Sequence, residues 1–274
     1  VYTGSDSVRA GEFTFTFPVP LDVNYSPENG NINFYALDNL RNEAQGSYTE
    51  FYLDGTVDNL QNDSIGPQIA LFLNTTDFVS GDKVNETPLL MVALHDEDGI
   101  NTTGNGIGHD LIAIIDNDPQ KTYVLNSYYQ SEPGDYTLGA LTYSLPPLEP
   151  GIHTIMVRAW DILNNSSTVH ATFEVVKGLR PALTNVWCTE SPAHTATTFI
   201  VTHDRPMSNL SVKIEVFDFA GRILWTHSDS SVSTGFEHRI PWNLNTNSGQ
   251  PVGTGVYLYR ATISSAEGGG ESTK

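Results

Sequence analysis

Apolar and polar residues alternate with a period of two along most of this chain of 274 residues. In Glu12–Phe17, for example, three phenylalanines fall on one side of an extended backbone and polar residues on the other. Helical periodicity is almost absent, because its best stretch, residues 37–45, is short and is followed by Gly46. A strand with one apolar face must pack against a second sheet, so the pattern predicts an all-β chain of tandem immunoglobulin-like β-sandwich modules.

Eight more runs are predicted to be strands, since they repeat this alternation and Gly, Pro, Asn and Asp clusters separate them. These runs are Gln68–Leu73, Leu89–Leu94, Leu111–Ile115, His153–Ala159, Val169–Val176, Thr197–Thr202, Leu210–Asp218 and Val256–Ile263.

Two polar, turn-rich stretches, residues 54–67 and 177–181, divide the predicted strands into three groups. The sequence therefore predicts a partial β-module at 1–65, a β-sandwich at 66–178 and a seven-strand-like sandwich at 179–274. The first module is short for a sandwich, so its N-terminal strands are expected upstream of residue 1.

Charge and cysteine content exclude several classes of function. Thirteen basic and 32 acidic residues give a net charge of −19, which repels a phosphate backbone and argues against a nucleic-acid partner. The one cysteine excludes a disulfide within the chain and a thiolate metal cluster. No apolar run reaches the ~20 residues of a membrane-spanning helix. An exported protein that avoids cysteine is typical of bacteria.

No pattern of catalytic residues is found. Cys188 lies in sequence that predicts the start of a strand, without the glycine-rich turn or helix N-terminus that activates a thiol. Gly-rich phosphate loops, G-x-S-x-G elbows and H-E-x-x-H helices are absent from the sequence. We therefore predict no catalytic residue, no cofactor and no resident metal.

Two groups of polar residues leave alternatives open. His109-Asp110 follows two glycines in the string 105–110, which suggests either a metal or catalytic site or, as we favour, a tight turn. Acidic clusters near Asp96, Asp116 and Asp161 predict either solvated turns, the default, or a shared Ca²⁺ site where sandwich loops converge.

The sequence also contains glycosylation motifs, but each is only three residues long and is therefore weak evidence of modification. Asn-x-Ser/Thr sequons arise readily in so Asn-rich and Thr-rich a chain and matter only in a eukaryotic secretory setting. They include Asn74, Asn85, Asn101, Asn165 and Asn209. Asp6-Ser7-Val8 and Asp63-Ser64-Ile65 fit the O-glycosylation acceptor pattern of Bacteroidetes.

The last segment combines a strand–glycine–strand hairpin at 212–224, a tryptophan strand at 235–243 and a G-x-G-x-Y-x-Y-R strand at 247–260. In that order they resemble the C-terminal sorting domain of type IX secretion cargo and the flagellar-hook-cap immunoglobulin-like fold. Two departures stand out. Residues 190–194 replace the usual Asn-Pro-Phe start, and residues 266–274 are glycine-rich and expected to be mobile. The sandwich therefore either lacks its last strand or is atypical.

The middle segment narrows the resemblance. The ordered strings of this segment resemble those of the gingipain-like cysteine peptidases, family C25, that act as surface sortases of type IX secretion. The strings are GINTTGNGIGHD (99–110), LNSYY (125–129), GIHT (151–154) and RAWDILNNSS (158–167). The phenylalanine strand and Tyr35-Ala36 also resemble the region before the end of those proteins.

This resemblance implies a bacterial cell-surface protein, attached at the outer membrane, that removes sorting domains from cargo and links the cargo to lipopolysaccharide. The family's catalytic Cys and His belong to an upstream caspase-like domain and match nothing here. The chain would thus be a non-catalytic docking region, bound to the outer-membrane β-barrel shuttle PorV and other attachment-complex components through residues that the sequence does not indicate.

Two other functions remain open. A secreted cargo protein could carry an adhesive or glycan-binding middle module with the last segment as its export signal. An autonomous enzyme would instead depend on Cys188, and its activity would be lost in Cys188→Ala.

Overall fold

The structure is a computed structural model that describes residues 3–21, 28–38, 42–53, 63–104, 106–266 and 268–274. Strands make up 49% of it and helix only 2%, which confirms the predicted all-β class. Parts of the predicted boundary at 54–67, of the helical stretch at 37–45 and of the string 105–110 lie outside the described residues.

The strands of the described residues form five sheets. The N-terminal hairpin pairs β1 (Ile32–Leu37) with β2 (Glu43–Tyr48). The middle of the chain forms two sheets, of orders β3-β5-β9-β8 and β4-β11-β10-β6-β7. Their strands are β3 (Gln68–Leu73), β4 (Lys83–Val84), β5 (Leu89–His95), β6 (Ile112–Ile115), β7 (Thr122–Val124), β8 (Gln130–Glu132), β9 (Asp135–Ser144), β10 (Gly151–Trp160) and β11 (Ser166–Val175). Short 3₁₀ helices span Pro119–Lys121 and Asn126–Tyr128.

The last part of the chain also has two sheets, of orders β12-β13-β16 and β15-β14-β17-β18. Their strands are β12 (Leu183–Cys188), β13 (Thr197–His203), β14 (Asn209–Phe217), β15 (Ile223–Val232), β16 (Glu237–Trp242), β17 (Leu258–Ser265) and β18 (Gly268–Thr273). Buried residues of both sheets form one core: Phe199, Val201, Leu210, Val212, Ile214, Val216, Ile240, Trp242, Ala261 and Ile263. We call this region the last sandwich.

The chain divides into two compact units. Unit 1 comprises residues 1–71, 92–142 and 154–171, and unit 2 comprises residues 72–91, 143–153 and 172–274. The three modules at 1–65, 66–178 and 179–274 stay a prediction.

Two local expectations are corrected. The run Glu12–Phe17 is no strand in the described part of the chain, although its alternation persists: the rings of Phe13 and Phe15 lie 5.4 and 5.6 Å from that of Phe34 on β1. The glycine-rich end, expected to be mobile, instead forms β18, because its backbone completes an antiparallel ladder with β17.

Candidate functional site

Three of the four middle-segment strings, 99–110, 125–129 and 158–167, lie in unit 1, where Asn126 joins its own string to the first one. The side-chain oxygen of Asn126 accepts a hydrogen bond from the Leu111 amide at 3.0 Å. Its amide nitrogen donates to Asp110 Oδ1 at 3.2 Å and to the Thr102 carbonyl at 3.3 Å. Asp110 is thus engaged in holding loops together, which supports the tight-turn interpretation.

The Trp-Asp end of β10 is organised in the same way. Asp161 is fully buried, and its carboxylate accepts hydrogen bonds from the backbone and side-chain nitrogens of Asn165 at 2.7 and 2.8 Å. The Asn101 amide donates to the Trp160 carbonyl at 2.8 Å. We call these joined segments, residues 96–104, 106–111, 124–128 and 160–166, the loop end.

His109 packs against an aromatic ring in the loop end. Its imidazole lies 4.2 Å from the ring of Trp160, and the Arg158 guanidinium lies 5.8 Å from the same ring. Arg158 also donates to the Gly108 carbonyl at 3.4 Å. The tilted ring contact and the Arg158–Gly108 hydrogen bond show that His109 and Arg158 pack within a folded loop.

Carboxylates crowd together in the loop end. Burial raises the pKa of Asp96 to about 6, and the Asp161 charge adds to the rise, whereas hydrogen bonds from the Asp98 and Gly99 amides oppose it. Burial also raises the pKa of Asp98. Across the described ranges, no group of three or more His, Cys, Asp or Glu residues is placed to hold a metal ion.

Cys188 is the last residue of β12, not at the start of a strand as predicted, and lies half-buried at the edge of the core of the last sandwich. Burial raises the pKa of its thiol, and a hydrogen bond with the Thr197 side chain only partly offsets this rise. Since the thiolate is the nucleophile, this environment disfavours reactivity, in agreement with the structural interpretation of the residue.

Three of the sequon asparagines are buried: Asn74, Asn85 and Asn101. Asn74 donates to the side-chain oxygen of Asn85 at 2.8 Å and accepts from the Leu89 amide at the same distance. These side chains serve the fold, so a glycan on any of them would require local unfolding.

The last sandwich contains a buried polar network. His203 Nδ1 accepts from the Arg205 amide and its Nε2 lies 3.2 Å from Ser233 Oγ. The Arg205 guanidinium, 1% exposed, pairs with Asp204 and donates to the Leu179 and Arg180 carbonyls, each at 3.1 Å. Burial lowers the pKa of His203 to about 4, with the His238 and Arg205 charges contributing. Arg205 therefore anchors the segment that leads into β12.

The outer face of the sheet β15-β14-β17-β18 carries apolar and charged side chains. Ile223 on β15 and Leu258 on β17 are the cross-strand partners of Phe217 on β14, so the three form one apolar row. A bulge in the β14–β15 pairing, next to Phe217, brings Ile223 to this face, while Trp225 packs against the core. Sequence alternation alone could have suggested the outward Phe217, but the bulge has no clear sequence signal.

A charged row lies beside the apolar row. The Glu215 carboxylate, 4% exposed, receives two hydrogen bonds from Arg260, at 2.9 and 2.6 Å, and lies 2.8 Å from the Lys213 amine. Hydrogen bonds from Lys213 and Arg260 lower the pKa of Glu215, so it stays ionised. The Arg260 guanidinium also lies 5.4 Å from the Phe217 ring.

The chain matches no protein-family model and no curated protein. Among solved structures, the match to dimeric latent PorU from Porphyromonas gingivalis has 37% sequence identity and a TM-score of 0.47, and covers 93% of this chain and 24% of that one. The chain is related to PorU. It spans about a quarter of PorU's length, and the match supports the predicted likeness to the PorU C-terminal region. The sorting-domain ending stays a prediction.

Two other solved structures match at low identity. The N-terminal Ig1-2 module of Drosophila DLAR is 11% identical, with a TM-score of 0.27, over 76% of this chain and 94% of that one. A DUF4785 family protein from Legionella pneumophila is 10% identical, with a TM-score of 0.27, over 96% of this chain and 81% of that one. The all-β assignment rests on the strands of the chain itself.

Within the described residues, no helix has both the length and the apolar character of a membrane span.

Proposed function

We propose that this chain is the non-catalytic docking region of a PorU-like surface sortase, and that residues 179–274 bind an outer-membrane partner of the PorV type. The parent would remove sorting domains from type IX cargo and attach the cargo to lipopolysaccharide with a catalytic Cys and His outside this chain. The observation that carries the proposal is the 37% identity to PorU over 93% of the chain.

The chemistry of the sites supports a binding role. The polar residues of the loop end are used in hydrogen bonds between its own segments. The one thiol, Cys188, has a raised pKa. The outer face of the last sandwich, in contrast, presents apolar and cationic side chains on a regular sheet, and a rigid element of this kind suits recognition.

A capture experiment tests the docking role. The chain and a version lacking residues 181–274 are immobilised and incubated with detergent-solubilised PorV. We expect capture by the whole chain and its loss on deletion. A chain in which the last sandwich is kept but Arg239 is replaced by Gln serves as a folded control, because that side chain forms an exposed ion pair with Glu237. Equal capture with and without residues 181–274 would refute the assignment.

Two side measurements address the other functions. Glycan-array binding by the chain would favour an adhesive module of a cargo protein. Cleavage of a sorting-domain peptide by the chain, abolished in Cys188→Ala, would favour an autonomous enzyme. We expect neither result.

A further inference from the structure

Charge is distributed unevenly along the chain. Residues 1–178 contain six Lys and Arg and 24 Asp and Glu, whereas residues 179–274 contain seven and eight. The last sandwich is therefore close to neutral, although the whole chain carries −19. An anionic surface repels the first part of the chain but can be approached by the second.

Apolar side chains concentrate at one end of the outer face. The hairpin turn between β14 and β15 holds Phe219, which is 76% exposed, directly beyond the apolar row. In that row Ile223 and Leu258 are 52% and 53% exposed. We call Phe217, Phe219, Ile223 and Leu258 the apolar end. Large side chains exposed together in this way mark an interaction surface more often than a scattered single residue does.

Positively charged side chains lie next to the apolar end on the same sheet. Arg260 and Lys213 share the carboxylate of Glu215, so these three residues together carry one net positive charge. Arg222, 79% exposed at its side chain, borders the apolar end and pairs with Asp218. A local positive excess in a chain of −19 favours an anionic occupant.

The spacing of these groups matches the depth of a membrane interface. Strand residues rise about 3.3 Å each, so the Glu215–Arg260 row lies roughly 7 Å from the Phe217 row. Interfacial elements place their apolar side chains about 5–10 Å into the boundary between headgroups and acyl chains, with Lys and Arg at headgroup level.

We propose that the apolar end inserts into an anionic lipid surface, with Arg260, Lys213 and Arg222 contacting lipid phosphates. The inference rests on the proposed function, since a docking region at the outer membrane has such a surface beside it. It adds a direct lipid contact, independent of any protein partner.

Vesicle co-sedimentation tests the lipid contact with the whole chain. The probes are phosphatidylcholine vesicles with and without phosphatidylglycerol. We expect binding to the anionic vesicles, weaker in high salt because the phosphate contacts are screened. Replacing Phe219 by Ser should weaken binding about tenfold or more, since burial of one large apolar side chain is lost. Lys213→Gln should weaken it by a factor of about 5.

Matched controls separate lipid binding from folding. Val232 lies at the other end of β15 and is 59% exposed, so Val232→Ser should leave binding unchanged. Arg239→Gln is the matching control for Lys213→Gln. Circular dichroism should be the same for all variants. Thermal unfolding should be the same for Phe219→Ser, Val232→Ser and Arg239→Gln, whose side chains are largely exposed, whereas Lys213→Gln removes one cation from Glu215 and should unfold at a slightly lower temperature.

Three results would overturn the lipid contact: no binding to the anionic vesicles, equal binding by Phe219→Ser and the wild type, or equal loss in Val232→Ser. A fourth distinguishes the two proposals. If Phe219→Ser no longer captures solubilised PorV, and neither the wild-type chain nor this variant binds vesicles, the apolar end is a protein interface. The docking role then stands without the lipid contact. If vesicle binding holds but PorV capture fails, the lipid contact stands and the protein partner is wrong.

Discussion

The loop end in unit 1 and the last sandwich surround their ionisable groups with different partners. In the loop end, carboxylates crowd one another and are held by amide groups, so the pKa of Asp96 rises. In the last sandwich, the carboxylate of Glu215 lies beside cations and its pKa falls, while buried His203 is held neutral. The uneven charge distribution along the sequence thus reappears in the electrostatics of individual sites.

Asp96 in the loop end and His203 in the last sandwich are therefore expected to respond to pH in opposite directions, whereas burial raises the pKa of Asp204 in the last sandwich as it does that of Asp96. Acid relieves repulsion among carboxylates in the loop end, whereas in the last sandwich acid forces a proton onto a histidine whose nitrogens are already hydrogen-bonded. Hydrogen exchange measured by mass spectrometry can follow both regions in one sample, because local stability is read separately for each segment.

The largest expected effect is loss of the buried cation of the last sandwich. Arg205→Met leaves the Asp204 carboxylate and the carbonyls of Leu179 and Arg180 without their partner. Breaking a buried pair in this way costs about 3–5 kcal/mol. Denaturant unfolding, with exchange at residues 197–217 as the local readout, measures the change.

A matched exposed pair controls this prediction. Arg239→Met removes the Arg239–Glu237 pair, whose side chains are 63% and 40% exposed, and should cost no more than about 1 kcal/mol. Equal losses in the two variants would contradict the anchoring role of Arg205.

The second prediction concerns acid. The pKa of His203 is about 4 in the fold, below the ordinary 6.5, so the unfolded chain binds the proton more readily between these values. The last sandwich should therefore lose stability as pH falls from 6.5 to 4, by on the order of 3 kcal/mol. His203→Gln should flatten this dependence even though it lowers stability at neutral pH. His194→Gln, at an exposed position, should leave it intact, and an unchanged slope in His203→Gln would refute the prediction.

The third prediction has the opposite sign. Because the pKa of Asp96 is raised from 3.8 to about 6, its ionisation costs stability as pH rises through that range. Asp96→Asn keeps an oxygen for the Asp98 and Gly99 amides and removes the charge. We expect a gain of about 1 kcal/mol at neutral pH, reduced from the full shift by solvent screening, and no gain at pH 4. Slower exchange at residues 96–104 is the measurement, and a loss at neutral pH would contradict it.

The smallest effect is expected at the tip of the loop end. Ile107 is fully exposed, so Ile107→Ser should change stability by less than about 0.5 kcal/mol. Thermal unfolding checks this expectation, and a larger loss would mean that the side chain contacts something in the folded protein.

Eight of the nine alternating runs are strands in the structure, because alternation is a local property. The bounds of Gln68–Leu73 were predicted without error. The other seven runs correspond to β5, β6, β10, β11, β13, β14 and β17, and most of their predicted ends lie within two residues of the observed strand ends. Glu12–Phe17 failed because an alternating run becomes a strand only when a neighbouring backbone pairs with it. For the same reason, β18 could not be predicted from its glycine-rich composition.

The all-β class, the asymmetry of charge and the likeness to the C-terminal region of a type IX surface sortase follow from the order of residue types alone. Tertiary structure alone decided that Asn126 joins three loops, that His203 is buried neutral, and that Ile223 and Leu258 flank Phe217. These facts depend on strand register, on one bulge and on the exclusion of water, and residues far apart in sequence acquire them only when the sheets are assembled.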